Sequence, residues 1–366
     1  MTTDTLFHPS RSASRRTSIS VIDGDIHNAM PSDEVLLKYL APEWHAYHKT
    51  NGRRGHIGSH YPRAVPNAAR LDSWPPSGLG PGADLGFLRT QLLDGLDLDY
   101  GVLNCLFGAG GELNLDYGAA LARAVNDWQI AEWLEPEPRL RASLILPYED
   151  ADLSVDEIER LGGHSGYIQI LFLVRTREPL GHKKYWKIYE AATRYNLPVG
   201  IHFGGAGGGP ITGAGWPSHY FEDHGGMPQA FEAQVVSLVL SGILERIPEL
   251  KIVLIEGGFG WLPSLMWRLD RLWKSYREEL PLVQEKPSDT LRRQFWVTTQ
   301  PIEEPPQAHQ FDDLLDQLDM DDRLMFATDY PHWDFDSPHQ TLLADLPPER
   351  KAAILSENAR RLYRLD

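Results

Sequence analysis

Acidic and histidine side chains occur at the ends of apolar segments in three separate parts of the chain. In the first, SVIDGDIH, Asp23, Asp25 and His27 are spaced two residues apart. Because side chains two apart in a β-strand point to the same face, the three groups share one side of a strand. Buried carboxylates must be paired or coordinated, so this pattern fits a metal site. It also fits a solvated strand end.

Two further segments carry the same kind of residue. His202 ends the apolar run of PVGIHFGG, and Asp329 ends that of RLMFATDYPHWD. An aspartate at the end of a late barrel strand can bind a metal and accept a proton from metal-bound water. Together the three segments predict one metal site formed by Asp25, His27, His202 and Asp329.

The elements that would position these residues follow an alternating pattern. Short apolar runs, most of them followed by a stretch with helical periodicity, predict parallel strands joined by crossover helices. The eight runs cover residues 20–26, 101–107, 140–146, 166–172, 198–203, 251–256, 295–299 and 323–328. We therefore predict an α/β fold, a (β/α)8 TIM barrel whose chemistry collects at the C-terminal ends of the strands.

Two long segments exceed a minimal barrel, and the chain begins with a polar stretch. Residues 33–84 and 204–228 are rich in Gly, Pro and aromatic residues, and insertions of this length are often lids over a site. Both would overhang the strand-end face. We predict a flexible tail at residues 1–18 and a single catalytic domain at residues 19–366.

Charge and cysteine content limit the partners. The formal net charge of -16 argues against a nucleic-acid or anionic-membrane partner, because both require clustered Lys and Arg. A small-molecule substrate is favoured. The single cysteine, Cys105, lies in an apolar run, which excludes a disulfide framework and is typical of a buried thiol in a reducing compartment. We predict a cytoplasmic location.

The motifs resemble those of a known family. D-x-H on strand one, a His ending strand five, Asp329 in FATDYPH and the final ENARRLYRL are similar to the amidohydrolase superfamily, in its aminocarboxymuconate-semialdehyde decarboxylase-like branch. The resemblance implies that Asp25 and His27 are the first-strand metal ligands and His202 the fifth-strand ligand. It implies that Asp329 is the eighth-strand ligand and acid/base, and that a homodimer is possible.

The chain differs from many relatives at the end of strand six. Glu256 stands where many decarboxylases and hydrolases of the superfamily have a histidine. A carboxylate there could act as a base or bind a second metal. For a second metal, the candidates are Asp23, Glu256, His224 and His219, with Glu256 and His224 also candidate catalytic residues.

Several activities suit this set of residues. We predict a hydrolase in which metal-activated water attacks an amide, ester, thioester or activated C–C bond of a hydrophobic or aromatic substrate. The alternatives are non-oxidative decarboxylation of an aromatic or enoic acid, hydratase chemistry, and a ligand-binding barrel without activity. His and carboxylate ligands suit Zn, Mn and Fe, with one ion expected and two possible.

Overall fold

Eight parallel strands form one sheet in sequence order, with helices between them. The computed structural model describes residues 20–52, 68–205, 210, 212–340 and 342–366, so the predicted tail lies outside the described residues. The strands, in chain order, are β1 (Ile22–Ile26), β2 (Tyr100–Leu103), β3 (Leu140–Ile145), β4 (Tyr167–Arg175), β5 (Val199–Gly205), β6 (Ile252–Ile255), β7 (Phe295–Thr298) and β8 (Leu324–Met325).

The sheet curls so that its first and last strands meet. Three backbone hydrogen bonds join the β1 segment to the residues that follow β8: Gly24 N to Phe326 O at 2.9 Å, His27 N to Tyr330 O at 2.7 Å, and Asp329 N to Asp25 O at 3.1 Å. These bonds give the unpaired edge groups of β1 a partner. The predicted TIM-barrel fold is therefore confirmed.

The helices lie between the strands in the order expected of crossover connections. Within the described residues the α-helices are α1 (Asp33–Tyr39), α2 (His45–Asn51), α3 (Leu85–Leu88), α4 (Leu115–Gln129), α5 (Ala151–Leu161), α6 (Trp186–Arg194), α7 (Tyr220–Gly225), α8 (Met227–Leu240), α9 (Ile243–Arg246), α10 (Leu262–Tyr276), α11 (Pro287–Gln294), α12 (Ala308–Leu318), α13 (Pro348–Ala352) and α14 (Asn358–Tyr363). None of the described helices is long and apolar enough to cross a membrane.

Helix α8 shows how local sequence sets an element's limits. The helical segment before β6 is divided into α8 and α9 by Gly242, which adopts a left-handed conformation with φ of 80°. A Cβ at Gly242 would lie 2.6 Å from the Leu282 side chain, so both the backbone angle and the close packing favour glycine.

Parts of both insertions lie against the segment that follows β8. Ala69 forms an antiparallel bridge with His332, and Trp333 N donates to Ala68 O at 2.8 Å. From the second insertion, the Tyr220 hydroxyl accepts a hydrogen bond from Trp333 Nε1 at 2.9 Å. The insertions therefore reach the strand-end face of the barrel, while their action as lids stays a prediction.

Candidate active site

Four buried side chains from β1, β5 and the β8 loop converge at the mouth of the barrel. One ligand atom from each of Asp25, His27, His202 and Asp329 lies within 4.8 Å of all the others. His27 Nε2 is 2.8 Å from Asp329 Oδ1, and His202 Nε2 is 3.2 Å from Asp25 Oδ2. The strand order brings these ends around one point, as the sequence pattern predicts.

The orientation of both imidazoles suits metal binding. His27 Nδ1 donates to the backbone carbonyl of Asn104 at 2.7 Å, and His202 Nδ1 donates to its neighbour Phe203 O at 2.7 Å. Because each Nδ1 proton is held by a carbonyl, each Nε2 directs its lone pair toward the carboxylates when the ring is neutral. The two imidazoles and two carboxylates thus form a donor set that fits one divalent cation.

The pKa values in the cluster show how closely these charges interact. Burial lowers the pKa of His27, but the carboxylates of Asp25 and Asp329 outweigh it and raise the pKa to about 9. Burial raises the pKa of Asp329, but the imidazoles of His332 and His27 outweigh it and bring the pKa below the usual range. Buried carboxylates of this kind require nearby positive charge.

Glu256 and His332 extend the cluster from another side. One ligand atom from each of Glu256, Asp329 and His332 lies within 4.8 Å of the other two. Glu256 Oε2 is 3.2 Å from His202 Nε2, and His332 Nδ1 is 2.7 Å from Asp329 Oδ1. Burial, followed by the charges of Asp329, Asp334 and Asp25, raises the pKa of Glu256 well above its usual value. Glu256 is therefore beside the predicted ligands, as its position at the end of β6 indicates.

Two of these residues have an unusual backbone conformation. Glu256 has φ of 58° and Asp329 has φ of 61°, both in the left-handed region that non-glycine residues seldom adopt. Glu256 directly follows β6, and Asp329 lies four residues after the end of β8. At both positions the carboxylate reaches the same cluster.

Asp23 is placed differently from the other acidic candidates. Its carboxylate accepts hydrogen bonds from Thr328 Oγ1 at 2.6 Å, Thr328 N at 2.9 Å and Asp25 N at 3.1 Å. Burial raises its pKa to about 7. With these partners, Asp23 lies outside both groups of candidate metal ligands among the described residues. The geometry favours a positioning role over the second-metal role that its spacing suggests.

The two histidines of the second insertion also lie outside these groups. His224 Nε2 is 2.9 Å from Asp334 Oδ2. The side chain of His219 is 79% exposed and contacts Glu222. His224 nevertheless connects to the site, because Gln300 Nε2 donates both to Asp334 Oδ2 at 3.1 Å and to Asp329 Oδ2 at 3.2 Å.

Amide side chains are the part of the site that sequence reasoning missed. Asn104 follows β2 and donates from Nδ2 to Asp25 Oδ1 at 2.8 Å, while its backbone carbonyl holds His27. Gln300 follows β7 and contacts Asp329. Both stand just beyond the end of a strand, which is the signal that could have identified them. An amide has no ligand motif of its own, so that position is the only indication.

A cavity of about 290 Å³ opens beside the cluster. His27 and His332 lie on its wall, and most of the other lining side chains are small or apolar: Ala29, Met30, Pro81, Cys105, Leu106, Phe107 and Pro331. Asn28 is also in the wall. The size and composition of the cavity suit a small, largely apolar molecule.

Comparison with known proteins identifies the family of the chain. The model of the family described as amidohydrolase matches residues 7–365. The chain belongs to the amidohydrolase family. It is 29% identical over 234 residues to gamma-resorcylate decarboxylase of Polaromonas sp. (strain JS666 / ATCC BAA-500), an alignment that covers 59% of this chain and 67% of that protein.

Solved structures of low sequence identity share the fold. The 5-carboxyvanillate decarboxylase of Sphingomonas paucimobilis superposes with a TM-score of 0.71 at 21% identity, over 95% of this chain and all of that one (100%). A dihydroxybenzoic acid decarboxylase of Polaromonas sp. JS666, with bound manganese and the inhibitor 2-nitroresorcinol, superposes with a TM-score of 0.66 at 20% identity. The superposition covers 95% of this chain and 98% of that one.

Proposed function

We propose that this protein is a metal-dependent carboxy-lyase that removes carbon dioxide from a hydroxylated aromatic acid. The observation that carries the proposal is the position of Asp329, which contacts His27 of the ligand cluster and His332 of the cavity wall. The named activities of the relatives support decarboxylation. The sequence alone ranks hydrolysis first, and these similarities reverse that order.

The metal would be held by Asp25, His27, His202 and Asp329, with manganese preferred because a structural relative contains it. When bound, a divalent cation would withdraw electron density from the substrate carboxylate and from the oxygen of an adjacent hydroxyl group on the ring. The protein must also hold the ring and supply a proton. These are the tasks that the cavity residues and Asp329 would perform.

Decarboxylation requires a proton at the ring carbon that bears the carboxylate. The lowered pKa of Asp329 keeps its carboxylate ionised at rest. The proposed proton source is therefore His332 Nδ1, 2.7 Å from Asp329 Oδ1, and that oxygen passes the proton to the ring carbon. Once this carbon is protonated, the bond to the carboxylate breaks, carbon dioxide leaves and the bonding pair restores the aromatic ring. His332, on the cavity wall, would then regain a proton from solvent for the next cycle.

Glu256 would act on the same side of the cluster as His332, because ligand atoms of the two residues lie within 4.8 Å of each other. It is buried and adjacent to His202, at the strand end where many relatives have a histidine. We assign it to substrate contact. If Glu256 instead bound a second cation, the purified protein would contain two metal ions per chain.

The test is a direct assay of carbon dioxide release by manganese-loaded protein. The substrates are 2,6-dihydroxybenzoate and the other dihydroxybenzoates, with phenyl esters and anilides as hydrolysis probes. We expect carbon dioxide release by the wild-type protein, and a loss of at least about a hundredfold in Asp329→Asn, comparable with the lower range for acid–base catalysis. His219→Ala is the control because His219 is exposed. Ester or amide cleavage without carbon dioxide release would contradict the proposal.

A further inference from the structure

Asn28 is a polar residue of the cavity wall, next in sequence to a predicted metal ligand. It follows His27 directly, is only 2% exposed, and lines the cavity together with His27 and His332. Nearby wall residues such as Met30 and Leu106 have apolar side chains. A buried amide among such neighbours needs partners for both its donor and its acceptor.

The orientation of the Asn28 amide is set by a chain of hydrogen bonds. Asn28 Nδ2 donates to Gln129 Oε1 at 3.3 Å, and Gln129 Nε2 donates to Ser143 O at 3.4 Å. The Ser143 carbonyl can only accept, so it fixes the orientation of the Gln129 amide. Gln129 Oε1 then requires a donor, which must be Asn28 Nδ2.

This orientation leaves the other end of the amide without a partner. Asn28 Oδ1 is buried and has no hydrogen-bond partner among the described residues. An unsatisfied buried acceptor destabilises a folded protein, so its presence in a residue of the cavity wall points to a ligand that supplies the missing donor. The carboxylate of an aromatic acid cannot supply it, because an ionised carboxylate only accepts.

We propose that Asn28 Oδ1 accepts a hydrogen bond from a hydroxyl group on the substrate ring, and that this contact selects ring-hydroxylated acids. The inference rests on the proposed function for the identity of the ring. It assigns a specificity role to Asn28 that is separate from the chemistry of Asp329. An O-methylated ring at the same position has no proton to donate and would leave Oδ1 unsatisfied.

The experiment compares the binding of matched ligands to manganese-loaded protein by calorimetry. Each dihydroxybenzoate that keeps a hydroxyl next to its carboxylate is paired with the compound in which the second hydroxyl is methylated. The reference ligand is 2-hydroxybenzoate. For at least one pair we expect the wild-type protein to bind the hydroxyl form about tenfold or more tightly than the methyl ether.

Two variants distinguish the effect of the acceptor oxygen on ligand preference from the effect of side-chain shape. Asn28→Leu keeps the approximate size without the acceptor, and we expect it to lose the preference while binding 2-hydroxybenzoate within about twofold of wild type. Asn28→Asp keeps an acceptor oxygen but removes the donor to Gln129 Oε1 and adds a negative charge. We therefore expect it to bind every benzoate more weakly while keeping the ratio between the hydroxyl and methyl forms, which provides a test even if the leucine variant fails to fold. The inference would be overturned if the wild-type protein bound both members of every pair equally or bound none of the probes. It would also be overturned if Asn28→Leu kept the preference for the hydroxyl form or if Asn28→Asp lost it.

The readout distinguishes this inference from the proposed reaction. If the hydroxyl preference is found but no benzoate releases carbon dioxide, the Asn28 contact stands and the decarboxylase proposal fails. If carbon dioxide is released without any hydroxyl preference, only the role of Asn28 is lost.

Discussion

Thr328 gives two hydrogen bonds to the carboxylate of Asp23, one from its hydroxyl at 2.6 Å and one from its backbone nitrogen at 2.9 Å. Both residues are fully buried. The pair joins β1 to the segment after β8, directly beside Asp25 and Asp329. It therefore stabilises the closure of the barrel at the point where two predicted metal ligands meet.

The first prediction concerns this pair. Thr328→Val removes the hydroxyl while preserving side-chain shape, and leaves one Asp23 oxygen without that donor. We expect a loss of about 1–3 kcal/mol in the free energy of unfolding, the usual effect of an unsatisfied buried polar group. Urea unfolding provides the measurement. Thr328→Ser keeps the hydroxyl and is the matched control; equal stability of the two variants would contradict the assigned role.

The second prediction separates the positioning residue from the ligands. Asp23→Asn should retain about one metal ion per chain, because the Asp23 carboxylate is occupied by Thr328 and Asp25 N. His202→Ala should lose the metal because a cluster ligand is removed. The measurement is the metal content per chain, by elemental analysis of the wild-type protein and both variants purified in the same buffer. A lower metal content in Asp23→Asn than in the wild-type protein would make Asp23 a ligand and contradict the prediction.

The third prediction concerns His224, which reaches the site through Asp334 and Gln300. His224→Ala removes the 2.9 Å contact with Asp334 and leaves the predicted ligands intact. We expect unchanged metal content and a decrease in kcat of roughly fivefold, equivalent to the roughly 1 kcal/mol of one hydrogen bond. His219→Ala should behave as wild type. A loss of metal in His224→Ala would instead make His224 a ligand.

The fourth prediction concerns pH and a site away from the cluster. The Glu137 carboxylate accepts hydrogen bonds from Arg139 Nε at 2.9 Å and Arg89 Nε at 2.6 Å. The bond from Arg139, then that from Arg89, outweighs burial and lowers the pKa of Glu137 to about 2, from a usual value of 4.5. A lowered carboxyl pKa stabilises the fold above the unfolded-state pKa, and this contribution disappears as pH falls through the folded-state pKa.

Glu137→Gln should therefore reduce the free energy of unfolding by about 1–3 kcal/mol at pH 7. The difference from wild type should shrink as pH falls from about 4.5 toward 2, the range set by the two pKa values. Chemical unfolding across that range is the measurement. Glu135→Gln, at an exposed position in the same segment, is the control. A difference independent of pH would show that the ionised carboxylate is not its source.

The barrel and the ligand cluster were predictable because simple periodicities determine them. Every apolar run used to predict a strand overlaps an observed strand, since parallel strands buried on both faces are continuously apolar. Closure of the sheet then brings the ends of its strands together, and with them Asp25, His27, His202 and Asp329. Boundaries were less accurate, as at β8, which covers only Leu324–Met325 within the predicted run 323–328.

Depth within the barrel was harder to predict. Asp23 and Asp25 share a strand face, but two residues correspond to about 6.6 Å along a strand. Asp23 therefore lies one layer below the ligand atoms, where it meets Thr328. Likewise, the roles of Asn28, Asn104 and Gln300 depend on which groups the closed barrel brings next to each amide. Sequence spacing does not contain that information.

The left-handed conformation of Glu256 and Asp329 has a consequence for attempts to make this protein more heat-resistant. Glycine adopts such angles without the steric cost that a side chain incurs. Glu256→Gly and Asp329→Gly would therefore relieve backbone strain, although each removes a carboxylate from the cluster. The carboxylate of Asp329 is the partner of His27 and His332, so its loss offsets the relief of strain. Glu256 is instead buried close to other carboxylates, so a screen for thermal tolerance alone would tend to enrich Glu256→Gly and yield more heat-resistant proteins without this residue's chemistry.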